Sequence, residues 1–172
     1  MTIYTIGHST RDIQEFIVLL KDHGIIQLVD IRTIPRSRHN PQYEQMSLEK
    51  SLTKSGIKYI YMKDLGGLRP KVKKSINTGW HNESFRNYAD YMQTDDFKSA
   101  LNELINIAEQ NPTAIMCAEA VPWRCHRSLV GDALLNKGIR VEDIISKTNS
   151  NDHKMTEFAK INGEDVTYPK VD

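Results

Sequence analysis

Apolar residues along this chain follow two alternating rhythms. Short, nearly continuous apolar runs recur at 3–6, 26–31, 57–62, 113–117 and 139–145. Between them the apolar positions space out at three and four residues, the period of a helix with one buried face. Ile13, Phe16, Ile17 and Leu20 share such a face over 12–23. A shorter pattern runs from Ser47 to Ser55. Phe85, Tyr88, Ala89 and Met92 mark a third helix. Phe97, Leu101, Leu104, Ile105 and Ala108 mark a fourth, starting near Thr94, and residues 124–137 form a fifth. Ser9 and Asp12 are candidate caps, Gly24, Gly56 and Gly138 are stops, and Pro112 breaks the chain before the fourth run.

Strand runs alternating with helical patterns predict an α/β fold. The expected architecture is three-layer, with about five mostly parallel strands and helices on both faces, Rossmann-like or flavodoxin-like. Residues 1–172 form a single domain. Residues 146–172 are a polar C-terminal tail, with a turn signal at Asn162-Gly163 and a possible short hairpin. No internal repeat and no low-complexity segment interrupts the pattern.

The connections are unequal. Residues 32–46 and 63–83 are long for a compact α/β domain, where connections usually run about 2–6 residues. Both follow strands, as do 7–11 and 118–127, so all four segments belong at the carboxyl edge of the sheet. Seven of the nine arginines lie in them: Arg11, Arg32, Arg36, Arg38, Arg69, Arg124 and Arg127. Open α/β sheets bind ligands at that edge. Guanidinium groups there favour phosphate or carboxylate, which they bond bidentately.

Composition narrows the picture less. A chain of 172 residues, 39% hydrophobic and 26% charged, matches one soluble domain with a sizeable core. Lysine plus arginine number 23 against 22 acidic residues, a net charge of +1, so any basic footprint must be local. The first residues lack the basic and apolar regions of a signal peptide, and no stretch has bilayer-spanning apolar length. The expectation is a cytoplasmic protein without a membrane partner, its two cysteines thiols rather than a disulfide.

The densest chemistry lies between Cys117 and Arg127. Eleven residues hold both cysteines, Glu119, Arg124, His126 and Arg127, between an apolar strand and a helix. Free N–H groups at a helix start suit an anion. Cys117, closing a strand before a helix, is a candidate nucleophile or a buried small hydrophobe. Cysteine-dependent phosphatases place five residues between cysteine and arginine. Here six separate Cys117 from Arg124 and nine separate it from Arg127, without a glycine-rich loop.

Glu119 is a candidate general acid/base or a salt-bridge anchor. Asp30, inside an apolar strand, requires a partner such as Arg32. His8 and His126 each lie beside a strand end or helix start and are candidates to assist catalysis. Seven residues separate the cysteines, which argues against a zinc clip. Cys125 and His126 are adjacent and point about 100° apart on a helix. No metal is assigned, although a His/Cys/Glu metal site stays open as an alternative.

Several of these segments resemble one family. They are Thr5-Ile-Gly-His-Ser9, Val29-Asp-Ile-Arg32 with Pro35-Arg-Ser-Arg38, Leu65-Gly-Gly67, and Cys117-Ala-Glu119 with Cys125-His-Arg127. Together they look like the signatures of domain of unknown function 488, a group of uncharacterised prokaryotic proteins. The match runs in order from about Thr5 to Ile145. The resemblance implies an α/β fold and a polar site built from these motifs, and no settled activity.

The leading expectation is an enzyme with an arginine-rich anion pocket acting on a phosphate-containing ligand, a nucleotide or nucleic acid. Cys117, Glu119, His8 and His126 are the catalytic candidates. Ser9, Asp30, Arg32, Arg38, Gly66, Gly67, Arg124, Cys125 and Arg127 are the ligand-binding candidates. Tyr43, Tyr61, Trp80, Tyr88 and Trp123 lie among basic residues, including Lys71-Val-Lys-Lys74, and suit base stacking beside a phosphate backbone. A non-catalytic nucleotide- or nucleic-acid-binding module is the alternative. No cofactor is assigned.

Overall fold

The computed structural model describes residues 1–171. Its central sheet has six strands: β1 (Thr2–Gly7), β2 (Gln27–Asp30), β3 (Lys58–Tyr61), β4 (Thr113–Cys117), β5 (Arg140–Ile144) and β6 (Ser150–Asp152). Their order is β3-β2-β4-β1-β5-β6. The first five run parallel, and β6 pairs antiparallel with β5. The architecture is the expected three-layer α/β domain, with β6 built from the polar tail. Apolar periodicity gives no hint of β6, whose residues are half-buried or exposed. A hairpin, β7 (Lys160–Asn162) with β8 (Asp165–Thr167), turns at Gly163, where φ is +63°.

Helices α1 (Ile13–Asp22) and α2 (Gln45–Lys54) cover one face. Phe16, Leu20, Leu48 and Leu52 pack there against Ile6, Leu28 and Met116. Helices α3 (Glu83–Tyr91), α4 (Asp95–Gln110) and α5 (Arg127–Asn136) cover the other. Tyr88, Leu104, Val130 and Leu134 pack there against Ile3, Val29 and Ile115. Asp12, Asn82 and Thr94 cap α1, α3 and α4 by accepting from Gln14, Phe85 and Phe97 N–H groups. Helix α5 begins later than the apolar pattern indicates. Residues Pro122–Arg124 form a separate 3₁₀ turn, because Pro122 favours the start of a turn and Cys125 is extended.

The strand order positions the site. β4 lies between β1 and β2, so neither doubly wound order with β1 beside β2 applies. The chain leaving β1 enters α1 on one face, and the chain leaving β4 enters α5 on the opposite face. Adjacent strands that depart to opposite faces leave a crevice between their carboxyl ends, the topological switch point. Residues 8–12 and 118–126 line it.

Candidate functional site

The switch point is held shut by backbone contacts. The β1–β4 ladder continues past the strands, with His8 N–H donating to Cys117 O at 3.0 Å and Ser9 N–H to Ala118 O at 2.9 Å. Ser9 then turns the chain at φ 49°, unusual for a residue with a side chain. A Cβ on Gly7 would lie 1.5 Å from the Glu119 carbonyl oxygen. Glycine at that position is what lets the 118–121 loop fold over the end of β1.

Asp30, Arg32 and His8 form one buried group. Arg32 grips Asp30 bidentately, Nε to Oδ1 at 2.9 Å and Nη2 to Oδ2 at 2.8 Å. Tyr59 donates to the same carboxylate at 2.6 Å. Arg32 Nη1 stands 3.5 Å from His8 Nε2. His8 Nδ1 lies 2.8 Å from Ser9 O, and the ring stacks on Tyr43 at 4.2 Å. Burial, reinforced by the Arg32 charge, lowers the His8 pKa from 6.5 to about 4. His8 is therefore a neutral imidazole with both nitrogens engaged.

Cys117, Cys125, His126 and Arg127 form a second group at the end of β4. Cys117 and Cys125 are free thiols, 2% and 6% exposed. Cys117 Sγ donates to Glu119 O at 3.6 Å. Burial would raise the Cys117 pKa, but the neighbouring Cys125 thiol and the Arg127 charge outweigh it and lower it. Cys125 moves the opposite way, pushed up by the neighbouring Cys117 thiol and by burial. Cys125 Sγ lies 3.3 Å from His126 Nδ1 and accepts the Arg127 N–H at 3.5 Å. His126 Nε2 lies 3.0 Å from Ile31 O, and burial lowers this histidine to about 4.

Arg127 is fully buried. Its Nη1 donates to Thr5 Oγ1 and its Nη2 to Glu119 O, both at 3.2 Å, while Nε has no partner. Among the described residues no carboxylate pairs with it directly. Thr5 instead passes the contact on by donating to Asp143 Oδ1. His153 bridges Asp143 and Asp132 at 3.0 and 2.9 Å. Tyr168 donates to Asp132 at 2.7 Å. Burial would lower the His153 pKa, but its bonds to Asp132 and Asp143 raise it from 6.5 to about 9. This relay was absent from the sequence expectations. Asp132 and Asp143 interrupt apolar patterns in α5 and β5, which is a legible signal. His153 lies in the polar tail and gives none.

The remaining candidates lie at the rim. Glu119, Arg38 and Arg124 are exposed, and Ser9 is half-buried. Gly66 and Gly67 mark close packing. A Cβ on Gly66 would meet Thr33 Oγ1 at 2.7 Å, and one on Gly67 would meet His126 Nδ1 at 2.5 Å. The four arginines expected to share one anion are thus divided between an Asp30 clamp, a buried relay and two exposed positions. Tyr43 and Tyr88 are fully buried in the two cores, whereas Trp123 is 66% exposed. Among the described residues no three His, Cys, Asp or Glu are grouped to hold a metal ion. No helix is long and apolar enough to cross a membrane.

Two cavities open beside these groups. One, about 700 Å³, lies at the start of α5 and the end of β5. Trp80, Pro122, Trp123, Ser128, Ile145, Asn151 and His153 are among its walls. The second, about 450 Å³, is lined by Lys71, Lys73, Lys74, Lys170, His81 and Arg86, with Asp90. Among the described residues, none of these lysines and neither His81 nor Arg86 is in an ion pair.

A sequence model of the family described as Domain of unknown function DUF488 matches residues 12–134, most of the chain. No curated protein and no solved structure matches it.

Proposed function

Because the chain belongs to the DUF488 family, whose function is unknown, we propose a role from its own geometry: binding of a nucleotide or nucleic-acid strand at the carboxyl edge of the sheet. One observation carries this reading. The tryptophan-walled cavity and the lysine-lined groove flank the same segment, 78–81. Trp80 lines the first, and Thr78 and His81 line the second. An aromatic base in the first cavity would stack on Trp123 or Trp80, with Ser128 and Asn151 available to its polar edge. Phosphates would then lie along Lys71, Lys73, Lys74 and Lys170, which form no ion pair among the described residues and outnumber the one carboxylate, Asp90, that lines the groove.

The test is titration of a fluorescent single-stranded oligonucleotide over a range of salt concentrations. The combined change of Lys71, Lys73 and Lys74 to Glu should weaken binding at least tenfold and flatten the salt dependence by roughly three contacts. Trp123→Ala should cost about 1–3 kcal/mol with little change in that slope. Equal binding by the wild type and the triple variant at every salt concentration would refute the reading.

An enzymatic reading is favoured by one further observation, the lowered Cys117 thiol beside Arg127 at the switch point. His8 and His126 have both ring nitrogens engaged, so this version rests on Cys117 with exposed Glu119. Turnover of the bound ligand lost in both Cys117→Ser and Glu119→Gln, with binding retained, would establish it. Absence of turnover in the wild type would leave the binding module.

A further inference from the structure

We propose that the tryptophan-walled cavity selects guanine, read on its Watson–Crick edge by the cross-strand pair Asp143 and Asn151. This selectivity rests on the nucleotide-binding reading above, which leaves the base open.

The ladder between β5 and β6 sets the pair in place. Asp143 stands directly opposite Asn151 across the antiparallel strands. Side chains paired in this way rise from the same face of a sheet, with Cβ atoms about 4.5–5.5 Å apart. Both residues line the cavity of about 700 Å³, a volume typical of small-ligand sites. Asp152, the next residue of β6, belongs to the opposite face by strand alternation, and its Oδ1 takes both Arg140 donors. Asp143 and Asn151 are therefore the residues of this ladder that meet a ligand together.

Their chemistry decides what they can read. Asp143 is held from behind: Thr5 donates to its Oδ1, and His153 Nδ1 lies 3.0 Å from its Oδ2. Each carboxylate oxygen has two lone pairs, so one on each remains for a ligand. A carboxylate accepts and does not donate, whereas the exposed Asn151 amide does both. The pair thus presents two adjacent acceptors beside a donor.

Guanine carries the complement on one edge. Its N1–H and N2 amine are adjacent donors, and O6 is the acceptor beside them. Adenine N1 and cytosine N3 would set a lone pair against the carboxylate where guanine has a hydrogen. Thymine and uracil have one N–H between two carbonyls, so one carboxylate oxygen would face an oxygen. Lys154, also on the wall, adds a donor for guanine O6 or N7. Trp80 and Trp123 supply stacking, which any base accepts, so discrimination falls to the polar pair.

The test uses the full wild-type chain and short fluorescent dT oligomers, each with one central dG, deoxyinosine, dA or dC, titrated at one salt concentration. The dG oligomer should bind about tenfold more tightly than the dA, dC and all-dT oligomers, the value of one good bidentate pair. Deoxyinosine, which lacks only the N2 amine, should fall between dG and dT. Asn151→Asp, which exchanges the amide donor for a carboxylate, should reduce the dG preference about fivefold. The base series is read on the wild type, so a variant that fails to fold leaves that result standing. Equal binding of all oligomers, deoxyinosine equal to dG, or a preference for dA or dC would overturn this proposal alone. An unchanged preference in Asn151→Asp would overturn the assignment of the pair. No binding of any oligomer would overturn the binding reading and this proposal with it.

Discussion

The Asp30 carboxylate shows how burial decides what an arginine is for. Arg32 sits two residues beyond Asp30 and looks from the chain like an anion ligand. In the fold both lie inside the sheet edge, Asp30 fully buried and Arg32 5% exposed. A buried charge needs an opposite one. Arg32 spends Nε and Nη2 on Asp30 and presents only Nη1 toward His8. Asp30→Asn should therefore leave an uncompensated guanidinium and cost about 3–5 kcal/mol in urea unfolding. The pair of changes Asp30→Asn with Arg32→Met should recover part of that loss. An unchanged unfolding midpoint in Asp30→Asn would show that the pair does not hold the fold.

Among the elements, the contact between β1 and the loop after β4 is the tightest constraint on the site. The Cβ of an alanine at position 7 would collide with backbone, the Glu119 carbonyl, which cannot rotate away. Gly7→Ala should cost about 3 kcal/mol or more, because the 118–121 loop must move. Gly24 offers a contrast: it has φ +69° and nothing within 4 Å, so Gly24→Ala should cost only about 1–2 kcal/mol. Comparison of the two urea midpoints separates steric exclusion from backbone preference. The Gly7 motif is visible in the chain, but its reason is not, since Glu119 is over a hundred residues away in sequence.

For the whole molecule, three histidines set a pH window for stability. His153 rises from 6.5 to about 9 on folding, so the folded form holds its proton more tightly. Its contribution is complete below pH 6.5 and is lost as pH rises towards 9. His8 and His126 fall to about 4, so the folded form refuses their protons. Their contribution is complete above pH 6.5 and is lost as pH falls towards 4. Stability should peak near pH 6.5. Thermal unfolding across pH 4–9 should show both limbs, and His153→Gln should flatten the alkaline one, which is worth roughly 3 kcal/mol. An alkaline limb unchanged in that variant would mean the imidazolium bridge between Asp132 and Asp143 does not form.

Local information in the chain sufficed for the elements. Apolar runs and helical spacing determined five strands and five helices, because side-chain periodicity follows directly from backbone geometry. The motif residues Gly7, Asp30, Gly67 and Cys117–Arg127 were legible as a carboxyl-edge cluster for the same reason, each lying at the end of a strand or in the segment that follows it. Tertiary structure alone decided the rest. Insertion of β4 between β1 and β2, addition of β6, and division of the arginines among separate partners all depend on which distant segments share buried space. Ion pairing and pKa depend on three-dimensional distance and loss of water, and neither is encoded in residue spacing. His153 is the plainest case: a residue of the polar tail becomes the centre of the buried relay only once β6 has folded against β5.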